Sequence, residues 1–370
     1  MKVAYIAGVC VAHDAISAAV RDEICWLREA GHEVILFAYA CDYQELPFVL
    51  TDSETDIVFH PFFQQCDVAV FHFGVFYSLF NVLPLVRHSA KKVVVFHNIT
   101  PRKYLPASAH ALIDRSFSQL TNMAFADHII CVSKVNQVVL RENGVRTPST
   151  VIPLPVHATL SAPPTKPSFS DGVIRILFLG RFVESKGPTE LLSALAHLLK
   201  RETGLVVQLD MIGNLKFSDD RVLERMRQLI DRMNADFGAR LMVNIVGNAS
   251  EAQKQEILRN ADLFVLPTYH EGFCVPILEA IASGCLVVCY DNSNTPSVSG
   301  ALARLVPTGD IAALEQSIGA EIETIASDAW KSAGYRDRVG ASKRHLSAFA
   351  PDCVREQYLD FMERQLNRLC

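Results

Sequence analysis

The chain contains no run of eighteen apolar residues, so no segment is expected to span a bilayer. None of its ten cysteines forms a C-x-x-C pair, which removes the usual spacing of zinc and dithiol sites. Cys131, Cys285 and Cys289 lie in apolar, strand-like runs, where a thiol behaves as a small hydrophobe. They read as free thiols of a reducing cytosol. H-E-x-x-H, D-x-D and G-x-S-x-G are all missing, so zinc-protease, metal-dependent and serine-nucleophile chemistry have no motif to carry them. An excess of basic residues is missing too. Lys and Arg number 35 against 40 Asp and Glu, a net charge of −5, where a nucleic-acid binder would show a basic stripe. The opening MKVAYIAGVC is too short an apolar run for a signal peptide and leads directly into a strand pattern.

What the chain does have is length and apolar content. Its 370 residues suggest two domains, and half of them are hydrophobic, enough for two cores. The stretch from Asp262 to Tyr290 organises the rest. Leu263-Phe264-Val265-Leu266, bounded by Pro267, reads as a buried parallel strand. A polar loop with Glu271-Gly272-Phe273 follows. Pro276 suits a first helical position, Ile277, Leu278 and Ile281 have helical spacing up to Gly284, and Leu286 to Tyr290 is a second strand.

Strand ends of open α/β sheets bind ligands, and a helix N-terminus attracts phosphate. Gly272 lets backbone approach a ligand closely. Carboxylates on either side of an anion site cannot serve the phosphates themselves, but they accept hydrogen bonds from hydroxyls. Glu271 and Glu279 therefore suit a diphosphate with hydroxyls on both flanks, as in a sugar nucleotide. The bland alternative is a loop acid and a helix acid near a favourable dipole.

EGFCVPILEAIASG resembles the E-x7-E motif of retaining, family-four-type glycosyltransferases (glycosyl transferases group 1) of the GT-B fold. Pro267, Gly272, Phe273, Pro276, Ala280 and Gly284 fit its flanks. The resemblance implies that Glu271 faces the donor sugar and Glu279 holds the ribose. It also implies that Gly272, Phe273, Cys274 and Val275 line the nucleotide at the helix tip. Upstream, Arg181 ends the strand Arg175–Gly180, and Lys186 precedes a helix with Pro188 near its start. Two cations at a strand-to-helix turn can neutralise a departing diphosphate; alone they would read as surface charges. GR-x4-K-G is similar to the family's phosphate-binding pair, and the resemblance implies nucleobase contacts near Gly247 and Asn248.

The first half alternates strand and helix in the same way. Strands are expected at 2–7, 33–40, 67–72, 91–96, 129–133 and 151–153, with a helix at 15–30 closed by Gly31. Asp14 stands where relatives carry a Gly-Gly pair; it reads as the cap of the following helix, with contact to an acceptor hydroxyl as the functional alternative. The aromatic segment Phe73 to Val86 reads as a core helix, the alternative being shallow membrane contact. His97 and Asn98 follow the strand Lys91–Phe96 in an HNITP stretch similar to that of enzymes of bacterial surface-polysaccharide assembly. His97 could orient a sugar hydroxyl near the transferring centre, or only cap a loop. DNSNTPS at 291–297 departs from the family's Gly-rich turn, with Ser297 where Glu is common, although the amides of Asn294 and Thr295 could still serve a phosphate.

The expectation is an α/β, GT-B architecture of two Rossmann-like domains facing across a cleft. The limits are an acceptor domain at 1–156, a proline-rich linker at 157–171 and a sugar-nucleotide domain at 172–351, with the terminal helix 352–370 packing back on the first domain. The implied chemistry is metal-independent, front-face glycosyl transfer from a sugar nucleotide to a glycan, lipid-linked or small hydroxyl acceptor. It needs no further cofactor, and the chain is placed in the cytoplasm or peripherally at the inner membrane. A sugar-nucleotide 2-epimerase of the same fold and a non-catalytic binding subunit are the competing readings.

Overall fold

The computed structural model describes residues 1–12, 14–157 and 161–367, the last two by their backbone alone. Two compact units divide the chain: Met1–Pro155 with Phe349–Cys370, and Val156–Ala348. Both are parallel α/β units, of the Rossmann-like kind expected.

The first unit carries seven parallel strands: β1 (Lys2–Ile6), β2 (Glu33–Ala38), β3 (Phe48–Leu50), β4 (Val68–Phe73), β5 (Lys91–Phe96), β6 (His128–Cys131) and β7 (Ser149–Val151). Their order is β3-β2-β1-β4-β5-β6-β7. Every residue of β4 is buried, as befits a central strand covered on both faces. Helix α1 (Ala15–Glu29) buries Val20, Ile24 and Leu27 along one stripe, with Asp22 and Glu23 also buried. Gly31, at φ 84°, lies just past its end. The segment expected as a core helix at 73–86 is a 3-10 helix, Ser78–Leu85, which buries Leu79, Phe80, Val82 and Leu83. Pro84 lies within it and lacks the N–H an α-helical ladder would need.

The terminal helix, Pro351–Asn367, packs in this first unit. Val354, Tyr358, Phe361 and Met362 are buried, each worth about 1.5–3 kcal/mol of transfer free energy. Tyr358 lies 6.1 Å from Trp26 of α1, ring to ring, and Phe361 5.0 Å from His128. The Leu366 side chain and Leu369, the latter assigned to the same helix from sequence, lie outside the described residues.

The second unit holds β8 (Ile174–Leu179), β9 (Val207–Gly213), β10 (Leu241–Gly247), β11 (Leu263–Leu266), β12 (Leu286–Asp291) and β13 (Arg304–Pro307). Their order is β10-β9-β8-β11-β12-β13, all parallel. Its helices include α2 (Pro188–Arg201), α3 (Glu251–Asn260) and α4 (Val275–Ala282). The proline-rich stretch expected as a linker is, from Ser161 onward, part of this unit. Ser161 N–H donates to the Ala282 carbonyl at 3.2 Å, and Ser168 Oγ to Asp262 at 2.6 Å. Lys166, 3% exposed, donates to the carbonyls of Arg259, Ala261 and Ser283 at 2.8, 2.6 and 2.8 Å. Those carbonyls stand at or beyond helix ends, where the backbone lacks intrahelical partners; a composition rule does not detect such an anchor. Ala158 to Leu160 of the expected linker lie outside the described residues.

Gly187 begins α2 at φ 66°, and a Cβ built there would lie 2.2 Å from the Pro267 carbonyl oxygen. The loops after β8 and β11 therefore touch backbone to backbone at this point. Gly187→Ala is expected to cost about 2–3 kcal/mol, seen as a lower denaturant midpoint; an unchanged midpoint would mean that the contact is slack. Among the described residues no helix is long and apolar enough to cross a membrane.

Candidate active site

In the second unit the strand order reverses between β8 and β11, so the loops after these strands flank a topological switch point. Arg181 and Lys186 follow β8, and Glu271 follows β11. Tyr269 N–H and Thr268 Oγ1 both donate to the Ser185 carbonyl, at 2.8 and 3.2 Å, and tie the two loops together. Lys186 Nζ then meets Glu271 Oε1 at 2.5 Å, with side-chain exposures of 18% and 10%. Two residues 85 positions apart thus form a nearly buried ion pair. Arg181, on the same loop, is exposed and has no side-chain partner among the described residues.

Helix α4 begins at the same edge. Cys274 precedes it in the left-handed region, at φ 81°, and its side chain makes no capping bond. Val275 is the first helical residue and Pro276 the second, one later than the sequence suggests. Phe273 is buried, and its carbonyl accepts from Asn294 Nδ2 at 3.0 Å. Glu279, inside the helix, accepts from Lys254 Nζ of α3 at 2.8 Å. Burial lowers the Lys254 ammonium, but the Glu279 and Glu251 carboxylates together outweigh this and hold it above the ordinary lysine range. Sequence reasoning misses Lys254, because its link to Glu279 joins two helices 25 residues apart.

Gly247 ends β10 and Asn248 follows it, two strands away from β8. A Cβ on Gly247 would lie 2.4 Å from the Leu215 side chain, and Asn248 Oδ1 accepts from Leu215 N–H at 3.2 Å. Both residues fasten the loop after β9. In the 291–297 stretch the Thr295 amide donates to the Asn292 carbonyl at 3.1 Å and so is not open to a phosphate, contrary to expectation. A short helix, Thr295–Ser299, contains Ser297.

In the first unit the corresponding switch lies between β1 and β4. Asp14 caps α1, accepting from Ser17 N–H at 2.8 Å and Ser17 Oγ at 2.7 Å. His97 stands past the end of β5, its amide donating to the Phe73 carbonyl at 2.8 Å. The ring is buried and stacked on His72, 5.2 Å between centroids, with His97 Nε2 and His72 Nδ1 2.9 Å apart. His72 Nε2 in turn lies 3.0 Å from Glu23 Oε2. Nδ1 of His97 has no partner among the described residues. Burial lowers the His97 imidazole well below the usual histidine range, so it is neutral at pH 7. Asn98 adopts φ 76°, its Oδ1 accepts from Ile99 N–H at 2.8 Å, and its buried Nδ2 is likewise unpartnered. Among the described residues no group of three or more His, Cys, Asp or Glu is arranged to hold a metal ion.

Known proteins share this arrangement to differing extents. Residues 164–335 match the family described as Glycosyl transferases group 1. O-antigen chain mannosyltransferase B of Escherichia coli is 28% identical over 155 residues, 42% of this chain and 38% of that protein. Phosphatidyl-myo-inositol mannosyltransferase of Mycolicibacterium smegmatis is 25% identical over 340 residues, 86% of this chain and 82% of that one. A solved glycosyltransferase from Rickettsia africae ESF-5 shares the fold at a TM-score of 0.75 and 15% identity, with 98% of each chain covered. The chain spans less than half the length of the first curated relatives it matches. The second unit thus carries a match to the glycosyl transferases group 1, and the two parallel-sheet units share the GT-B fold of solved glycosyltransferases.

Proposed function

We propose that the chain transfers a sugar from a nucleoside-diphosphate sugar to a hydroxyl acceptor with retention at the anomeric carbon. The observation that carries this reading is the Lys186–Glu271 pair at the switch point of the second unit. Without donor, each neutralises the other. An arriving diphosphate competes for the lysine and frees the carboxylate to accept from a sugar hydroxyl, so one binding event assembles both contacts. Arg181, exposed beside them, adds a second cation for the leaving group, and Glu279, held by Lys254, receives the ribose hydroxyls.

In the reaction the bond from the anomeric carbon to the diphosphate oxygen breaks, and the acceptor oxygen bonds to that carbon on the same face. The acceptor proton passes to the departing phosphate oxygen. Charge builds on the diphosphate, where Arg181 and Lys186 stabilise it electrostatically. This scheme uses neither a metal ion nor a further cofactor. His97, with Asn98 and Asp14, is assigned to the sugar and acceptor hydroxyls. The names of the two mannosyltransferase relatives favour a hexosyl donor and a glycan or lipid-linked acceptor of bacterial polysaccharide assembly. Such work belongs at the cytoplasmic side of the membrane.

A thermal-shift screen of UDP-, GDP- and dTDP-sugars tests the donor half without an acceptor. Saturation at a hundred times Kd should stabilise the protein by about 2.7 kcal/mol, with one base clearly favoured. If none of these nucleotides moves the melt, the donor assignment is wrong.

A further inference from the structure

We propose that Glu23, His72 and Tyr5, with Tyr358 of the terminal helix, form a buried chain that sets His97 as the tautomer protonated at Nε2. Nδ1 then remains as an acceptor for a substrate hydroxyl. The inference rests on the reading that His97 faces a hydroxyl-bearing substrate, and it adds four positioning residues to that reading.

The directions of the hydrogen bonds carry the argument. As a carboxylate Glu23 can only accept, and in that form it fixes the polarity of everything joined to it. Its Oε2 is reached by His72 Nε2 at 3.0 Å and by Tyr5 Oη at 3.3 Å. Tyr5 and Tyr358 hydroxyls are bonded to each other. Burial keeps both phenols far above their usual range, so both remain donors. Tyr358 donates to Tyr5, Tyr5 to Glu23, and His72 Nε2–H to Glu23. A neutral His72 has then spent its one proton, and its Nδ1 must accept. The group facing it, at 2.9 Å, is His97 Nε2, which must therefore carry the proton of that ring. His97 Nδ1 is left bare, and it is the nitrogen without a partner. A buried lone pair without a donor is tolerated more readily than a buried N–H without an acceptor. The opposite polarity would need an added proton on His72 or on Glu23, and in either case it would leave a buried N–H of His97 unpaired.

The chain is also placed to matter. It begins on α1 and the terminal helix, crosses β1 and β4, and ends beside the unpartnered amide of Asn98. A core built only for packing would not bury a carboxylate and route it to an unpartnered ring nitrogen.

The test uses the full chain labelled with nitrogen-15 histidine. In the wild-type protein near neutral pH, His97 should show a pyridine-type Nδ1 and a pyrrole-type Nε2; a protonated Nδ1 overturns the proposal without any variant. His72→Leu removes the acceptor for Nε2–H and should lower kcat by about 10–100-fold, with the donor's thermal shift retained and the tautomer no longer fixed. His72→Gln offers an amide oxygen to His97 and an N–H to Glu23, and should recover most of that loss. Equal activity of His72→Leu and wild type, or failure of Gln to exceed Leu when both melt alike, overturns the positioning role. Unimpaired activity of His97→Ala would instead remove the reading on which the proposal rests.

Discussion

Glu271→Gln is expected to cut the rate of sugar transfer by roughly 10²–10³-fold while the protein stays folded. The amide oxygen can still accept from Lys186, so the contact of 2.5 Å survives in weakened form and the loops after β8 and β11 stay joined through Ser185, Thr268 and Tyr269. What disappears is the negative charge. Lys186 is then no longer neutralised before donor binds, and the sugar hydroxyl loses its charged acceptor. Nucleotide affinity should therefore be retained or rise, while turnover collapses. The measurement pairs initial rates on the donor found by thermal shift with a melting curve of the variant. A variant that turns over normally would remove Glu271 from the site. One that loses nucleotide binding along with activity would show that the carboxylate had only been holding the loop.

The second large effect is on stability and lies away from the chemistry. Lys166→Met keeps the aliphatic stem but removes the ammonium from three carbonyls. Leaving buried acceptors unpaired, or, at the Ala261 carbonyl, with only the weak thiol donor of Cys285 at 3.2 Å, costs about 1–3 kcal/mol each, partly offset because a buried cation no longer has to be desolvated. A net loss of about 4 kcal/mol is expected, roughly 8–16 °C in Tm for a unit of this size. Because α3 and the Ser283–Cys285 turn flank α4, the same variant should loosen the grip of Lys254 on Glu279. Chemical denaturation checks the first claim and nucleotide affinity the second. A change in midpoint of less than about 1 kcal/mol would mean that water satisfies the three carbonyls in place of the lysine.

Much of this architecture is legible in the residue order. Lys91–Phe96 and Leu263–Leu266 are strands with the bounds that their apolar runs and flanking turns imply, and Gly187-Pro188 marks the start of α2. The acids and cations around the switch point could be found because each follows directly after a strand. What the residue order conceals is pairing at a distance. Lys166 looks like linker polarity until its three carbonyls are seen. Cys274 gives no sign of its left-handed backbone, since glycine is the usual signal for it. Glu23 did leave a trace. It falls on the same stripe of α1 as Val20, Ile24 and Leu27, and a carboxylate in an apolar stripe asks for a buried partner. That partner, His72, lies 49 residues away, at the end of a strand that otherwise reads as plain core.

The division of the chain bears on its biogenesis. The middle unit is one continuous stretch, Val156–Ala348, whereas the other is made of two stretches that flank it. Nascent polypeptide leaves the ribosome in order, and domains generally fold as units. The middle unit needs nothing made after it, whereas the stretch before it waits for the helix Pro351–Asn367 to bring Tyr358 to Tyr5. A chain cut after residue 348 would keep the middle unit whole beside a neighbour that lacks this helix, and quality-control proteases would act on the latter.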